Sequence, residues 1–157
     1  MIHCDTIGPW KVELRARDLE FKAVTIIEPC YNLLEIGKLT TKMAKECAVQ
    51  VVNLWLCRYP RPMKCLTDQG PEFGQDFVDE IKEVQGVPMV TSTSRNPQGN
   101  SIVERIHQSI GAVLTIIVQL ENPRSVHEGN AVIDKTLAMV MHACRCAANG
   151  TIGNYSA

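Results

Sequence analysis

The chain has 157 residues, a single-domain length, with 45% hydrophobic and 21% charged residues, proportions that exclude a wholly disordered polypeptide. Lys and Arg number 16 against 17 Asp and Glu, a formal charge of -1, so no basic excess advertises a nucleic-acid partner. The longest run without Asp, Glu, Lys or Arg spans residues 106–120, shorter than the about 20 apolar residues a membrane-spanning helix needs.

In chain order, residues 2–7 form a strand-like run closed by Gly8-Pro9, after a start, Met-Ile-His-Cys-Asp, that is no secretory signal. Residues 21–28 (FKAVTIIE) and 33–36 are rich in β-branched and apolar side chains, which favour two further strands. Thr40 or Thr41 then suits the cap of a helix whose stripe is Met43, Cys47, Val51 and Leu54. Pro60-Arg61-Pro62 ends it. Residues 63–67 are a brief extended run, and Pro71 opens a second amphipathic helix with Phe73, Phe77, Ile81 and Val84 inward. Residues 87–90 form a fifth strand, and the polar stretch 91–100 (TSTSRNPQGN) forms a loop. Ser101 is placed to cap the next helix, with Ile102, Ile106, Ile110, Val113 and Ile117 as its buried face, and a last helix runs over residues 130–147.

The order is β-β-β-α-β-α-β-α-α. Three sequential strands with short connections favour an antiparallel meander, and strands each preceded by a helix add in parallel. The architecture expected is α/β, a mixed five-stranded sheet with helices on both faces. The seven cysteines, Cys4, Cys30, Cys47, Cys57, Cys65, Cys144 and Cys146, are scattered without a zinc-type spacing. They read as small buried thiols of a reducing, intracellular compartment.

Three carboxylates stand apart from the acidic residues of solvated helix faces. Asp5 lies inside an apolar strand run, where a lone charge is costly. Asp68 follows the strand at 63–67 and precedes Gly70-Pro71, at the kind of strand end where open α/β sheets place ligands. Glu104 falls in the first turn of the helix after the polar loop. A turn aspartate is the ordinary alternative for Asp68, and a favourable charge near a helix N-terminus for Glu104. Three converging carboxylates would repel one another unless hard cations, Mg²⁺ or Mn²⁺, lay between them.

The segments Asp5-Thr-Ile-Gly-Pro9, Thr67-Asp-Gln-Gly-Pro-Glu-Phe73 and Asn96-Pro-Gln-Gly-Asn-Ser-Ile-Val-Glu-Arg105 resemble the catalytic core of retroviral and LTR-retrotransposon integrases, most of all the gypsy type. That family carries an Asp, Asp, Glu triad with 35 residues between the last two, and 35 residues separate Asp68 from Glu104. The similarity runs over essentially the whole chain. It implies a ribonuclease H-like fold and one domain, 1–157, an integrase core without the flanking zinc and C-terminal DNA-binding domains and truncated at its C-terminal end.

By this resemblance Asp5, Asp68 and Glu104 are the catalytic residues and hold two Mg²⁺ or Mn²⁺ ions. The activity implied is DNA phosphoryl transfer: 3′-end processing, then strand transfer into target DNA. Element ends and target DNA are the implied partners, with a homodimer or higher oligomer, no membrane, and the host nucleus as the compartment. Arg95, Asn96, Gln98, Asn100, Arg105, His107 and Gln108 are the implied DNA contacts, the last two sharing the helical face of Glu104. The lysine that many family members carry near positions 108 or 111 is absent. Two other readings stand beside this one. A ribonuclease H would need a further carboxylate on the first long helix, for which Glu46 is the candidate. The other is a non-catalytic, dimerising remnant of a retroelement polyprotein.

Overall fold

The computed structural model describes the backbone of residues 1–12, 18–92 and 97–147, and the side chains of these except 97–102. One five-stranded mixed sheet organises the molecule. Strands β1 (Ile2–Val12), β2 (Leu19–Glu28) and β3 (Leu33–Leu39) form the antiparallel meander, and β4 (Cys65–Thr67) and β5 (Met89–Thr91) add in parallel. The spatial order is β3-β2-β1-β4-β5, and the meander with parallel additions is the arrangement expected from the sequence.

Side chains alternate across the strands, so each strand feeds two cores. Ile2, Cys4, Val24 and Ile26 face one layer, where they meet Ala48, Val51 and Trp55 together with Phe73, Phe77 and Ile81. The helices of this layer are α1 (Ala44–Val51), which widens into a π-helical turn at Val52–Leu56, and α2 (Gln75–Val78), which follows a 3₁₀ turn at Pro71–Phe73 and widens over Asp79–Val84. Ile7, Ala23, Ile27, Leu34 and Ile36 face the other layer, where Val103, Ile110 and Leu114 of α3 (Pro97–Glu121) pack with Ile133 and Leu137 of α4 (Val126–Cys146).

Several local expectations change. β1 does not stop at Ile7. A register shift between Ile7 and Trp10 lets it continue to Val12, and Gly8 makes this possible: its φ is +88° and a Cβ there would lie 2.4 Å from the Phe21 carbonyl oxygen. Neither Thr40 nor Thr41 caps α1. Met43 holds that position without a side-chain bond, and Glu46 instead reaches back to the Thr40 and Thr41 amides at 2.7 Å each. α4 starts four residues earlier than expected, because Ser125 accepts from the Glu128 amide.

The largest change concerns α3. It begins at Pro97 and not after Ser101, since proline's fixed φ and missing N–H suit a first helical turn. Four residues of the expected loop are therefore helical. The buried stripe also shifts, to Val103, Ile110 and Leu114, leaving Val113 exposed and Ile106 half-buried. No described helix is long and apolar enough to cross a membrane. Of the cysteines, Cys4, Cys47 and Cys65 are buried as expected, whereas Cys30, Cys57 and Cys146 are exposed and Cys144 half-buried.

Candidate active site

Strand pairing brings the first two carboxylates together. β1 and β4 run parallel with Ile2 opposite Cys65 and His3 opposite Leu66; the same register carried three residues on leads to Asp5 and Asp68. Asp5 lies within β1, where its pairing with β4 ends and its pairing with Thr25 of β2 persists. Asp68 is the residue after β4. Its Oδ1 accepts the Gly70 amide at 2.9 Å, so it also makes the turn bond expected of an aspartate there.

Asp5 is held on one side only. Its Oδ1 accepts the Thr6 amide at 2.7 Å, and its Oδ2 lies 3.8 Å from His107 Nδ1. Burial pushes its carboxyl up to about 6; the Thr6 amide opposes this, Asp68 and Glu72 add to the rise, and Lys42 works against it. Negative charge is thus in excess at this point of the sheet.

Glu72 is a site residue that sequence reasoning missed. It is 8% exposed, and Thr6 Oγ1 donates to its Oε1. Lys42 Nζ donates to the same Thr6 hydroxyl at 3.2 Å. A Cβ on Gly70 would lie 2.7 Å from Glu72 Oε2 and 3.0 Å from Asp68 Oδ1, so Gly70 lets two carboxylates share the turn. The available signal was a glutamate beside Pro71 and Phe73 at the start of an amphipathic helix, a pattern indistinguishable from a solvated first-turn acid.

Glu104 stands elsewhere. Because α3 starts at Pro97, Glu104 sits about two turns into the helix, not in its first turn, and is exposed. Among the described residues no three His, Cys, Asp or Glu side chains gather closely enough to hold a metal ion. The expected convergence of Asp5, Asp68 and Glu104 is therefore not assembled here. Exposure follows from the face that α3 presents: Val103 and Ile110 meet the sheet, which turns position 104 sideways.

The expected DNA contacts divide. Arg95 and Asn96 lie outside the described residues, and Gln98 and Asn100 are described only as backbone of α3. Arg105 and Gln108 are exposed. His107 does not share the outlook of Gln108. It is half-buried, its Nε2 is 2.8 Å from Thr25 Oγ1, and burial lowers its pKa to about 4. Glu46, the candidate fourth carboxylate of a ribonuclease H, is occupied at the entrance of α1 by Thr40 and Thr41.

The donor chemistry at Asp5 and Asp68 fits a hard divalent cation. Both offer carboxylate oxygens, and such an ion would offset both the burial of Asp5 and the nearby Asp68 and Glu72 charges that raise its pKa.

The bovine immunodeficiency virus (BIV) integrase catalytic core domain matches over 99% of this chain and 88% of its own, with a TM-score of 0.65 and 17% identity. The chain has the integrase-core fold. A chain of the simian T-cell lymphotropic virus intasome, solved with the PP2A regulatory subunit B56 gamma, shares this integrase-core fold at TM-score 0.76 and 13% identity, over 99% of this chain and 51% of that one. In sequence, 107 residues are 28% identical to the retrovirus-related Pol polyprotein from transposon 412 of Drosophila melanogaster. That stretch is 68% of this chain and 8% of the polyprotein, so this integrase-like chain spans a small part of the relative's length. No protein-family model matches.

Proposed function

We propose that this chain is the catalytic core of a retroelement integrase and performs Mg²⁺- or Mn²⁺-dependent phosphoryl transfer on DNA. The observation that carries the reading is the placement of Asp5 on β1 and of Asp68 just after the adjacent parallel strand β4 in an integrase-core fold, where burial raises the Asp5 pKa and Asp68 and Glu72 add to the rise. Asp5, Asp68 and Glu104 would hold the ions, Glu104 being carried by the exposed side of α3. A bound dication supplies Lewis acidity and an attacking water or 3′-hydroxyl of lowered pKa.

The chain's own residues do the rest. The Thr6 amide fixes one Asp5 oxygen and leaves the other open. The Gly70 turn fixes one Asp68 oxygen in the same way. Lys42, on Thr6, places a cation beside the carboxylates, which moderates their charge as a phosphodiester approaches. Arg105 and Gln108, exposed on α3, together with Arg95, Asn96, Gln98 and Asn100, would meet the DNA backbone.

The two activities of this reading are 3′-end processing and strand transfer into target DNA, in the host nucleus. Self-association is part of it. The similar intasome chain belongs to an assembly, and Val113, Ile116 and Leu120 expose apolar surface along α3.

The test is cleavage and joining of an end-labelled DNA duplex in Mn²⁺, resolved on a denaturing gel. Asp5→Asn and Glu104→Gln should each reduce product to background while the parent is active. Variants as active as the parent overturn the triad. An RNA–DNA hybrid cleaved in preference to duplex DNA would favour a ribonuclease H, against the present occupation of Glu46.

A further inference from the structure

The last two turns of α4 sort their side chains by face. Met141 and Cys144 pack on the core between the sheet, α3 and α4, and Arg145 reaches Glu35 of β3. His142 and Cys146 are exposed on the other side. The helix runs unbroken through both, with the Ala147 amide bonded to the Ala143 carbonyl at 3.0 Å, so their four-residue spacing makes them neighbours on one face. Cys146 Sγ lies 3.5 Å from His142 Nε2 and 3.8 Å from Nδ1. Among the described residues neither group has another hydrogen-bond partner. The two thiols of Cys144-Arg-Cys146 therefore part company. Cys144 is half-buried, its pKa raised by burial, and only Cys146 is presented with a histidine.

That separation is the bite of a tetrahedral zinc ion. Zn–S bonds of about 2.3 Å and Zn–N bonds of about 2.0–2.1 Å set sulfur and nitrogen about 3.5–3.6 Å apart. We propose that His142 and Cys146 chelate a zinc ion on the outer face of α4, leaving two of its four positions to ligands from outside the helix. Binding replaces the S–H bond of Cys146 by a Zn–S bond and releases the thiol proton to water. The imidazole supplies its lone pair and loses nothing. Thiolate with imidazole selects a borderline-soft ion such as Zn²⁺ over hard Mg²⁺ or Mn²⁺, so this site differs in chemistry as well as place from Asp5 and Asp68. The Arg145 guanidinium, adjacent in sequence, is turned away onto Glu35. The two open positions admit two waters or the same pair from a second copy, which would complete a Cys₂His₂ set. None of this depends on the integrase reading.

The experiment uses the full 157-residue chain, kept reduced by a phosphine, with Co²⁺ as the spectroscopic stand-in for Zn²⁺. Titration should produce a near-ultraviolet thiolate-to-cobalt charge-transfer band, and added Zn²⁺ should displace the cobalt and remove it. Cys146→Ser should abolish the band, and His142→Gln should weaken Co²⁺ binding by about tenfold or more. Cys30→Ser and Cys57→Ser, at the other exposed thiols, should change neither. Because His142 and Cys146 are both exposed, circular dichroism should show the helices intact in their variants. Ions held by carboxylates alone give no sulfur band, so metal at Asp5 and Asp68 does not confuse the reading. A parent without the band overturns the proposal, as does a band that survives Cys146→Ser or parent affinity in His142→Gln. Calorimetric stoichiometry then names the remaining ligands: one zinc per two chains supports the chelate with a second copy completing it, and one per chain supports it with water.

Discussion

Gly111 of α3 lies against the indole of Trp10, where a Cβ would stand 3.4 Å from Cζ2 and 3.7 Å from Cη2. Trp10 belongs to the part of β1 beyond the bulge and also packs on Phe21, ring centroids 5.7 Å apart. This contact joins α3 to the far end of β1 through a glycine that leaves the indole ordinary van der Waals room.

A methyl group at 111 meets ordinary van der Waals contact. Glycine in a helix interior is about 1 kcal/mol less favourable than alanine. Gly111→Ala should therefore stabilise the chain by about 0.5–1 kcal/mol in urea unfolding, whereas Gly111→Lys should give no gain. A destabilised alanine variant would show that the indole cannot tolerate the added carbon.

Glu72 raises the Asp5 pKa together with burial and Asp68. Glu72→Gln removes one of these charges while keeping an acceptor for the Thr6 hydroxyl. The Asp5 midpoint should then move down from about 6 toward the ordinary carboxylate range. The Asp5 carboxyl carbon, followed by NMR through a pH titration, reads this directly. An unchanged midpoint would mean that burial and Asp68 suffice without Glu72.

The entrance of α1 makes a prediction of opposite pH sign. Burial is the largest single influence on Glu46 and opposes its charged form, but the donors from Thr41 and Thr40 together outweigh it and hold the pKa below the usual glutamate value. A depressed folded-state pKa adds stability above the unfolded-state value and loses it as pH falls through the folded one. Glu46→Ala should thus cost about 1 kcal/mol at pH 7, the scale of a helix cap. The difference from the parent should vanish once the pH falls below the folded-state pKa. Thermal melts of both proteins between pH 7 and pH 3 test it.

Glu35 is a buried carboxylate of β3, 1% exposed, clamped by Arg145 of α4, by Arg58 at 3.2 Å and by the Tyr59 hydroxyl. Removing one partner of a buried ion pair is costly because the other charge loses its compensation. Arg145→Met should cost about 2–4 kcal/mol. Adding Glu35→Leu should recover most of that loss, a non-additivity that a double-mutant cycle in guanidinium measures. Additive effects would mean the contact contributes little.

Glu35 also illustrates what periodicity conceals. A glutamate between Leu34 and Ile36 reads as the polar position of a half-exposed strand, yet its partners come from 23 to 110 residues away along the chain. Glu72 was hidden in the same way. The α3 stripe failed for a different reason: residues 110–118 are apolar around most of the helix, so the packing surface, not the pattern, selected Val103, Ile110 and Leu114.

Composition and pattern by themselves determined the element order, the antiparallel meander, the parallel additions and the two-layered core, because strand alternation and helix punctuation are local properties of the chain. The three motifs and their spacing likewise pointed to the integrase core before any contact was known. Tertiary structure alone decided which charges meet. It set Asp5 beside Asp68 and Glu72, turned His107 onto Thr25, spent Glu46 on a helix entrance and left Glu104 on an open face. Those outcomes depend on strand register and helix rotation, which long-range packing sets. The -1 formal charge, unremarkable as a sum, conceals a local surplus of carboxylates that only the pairing of β1 with β4 creates.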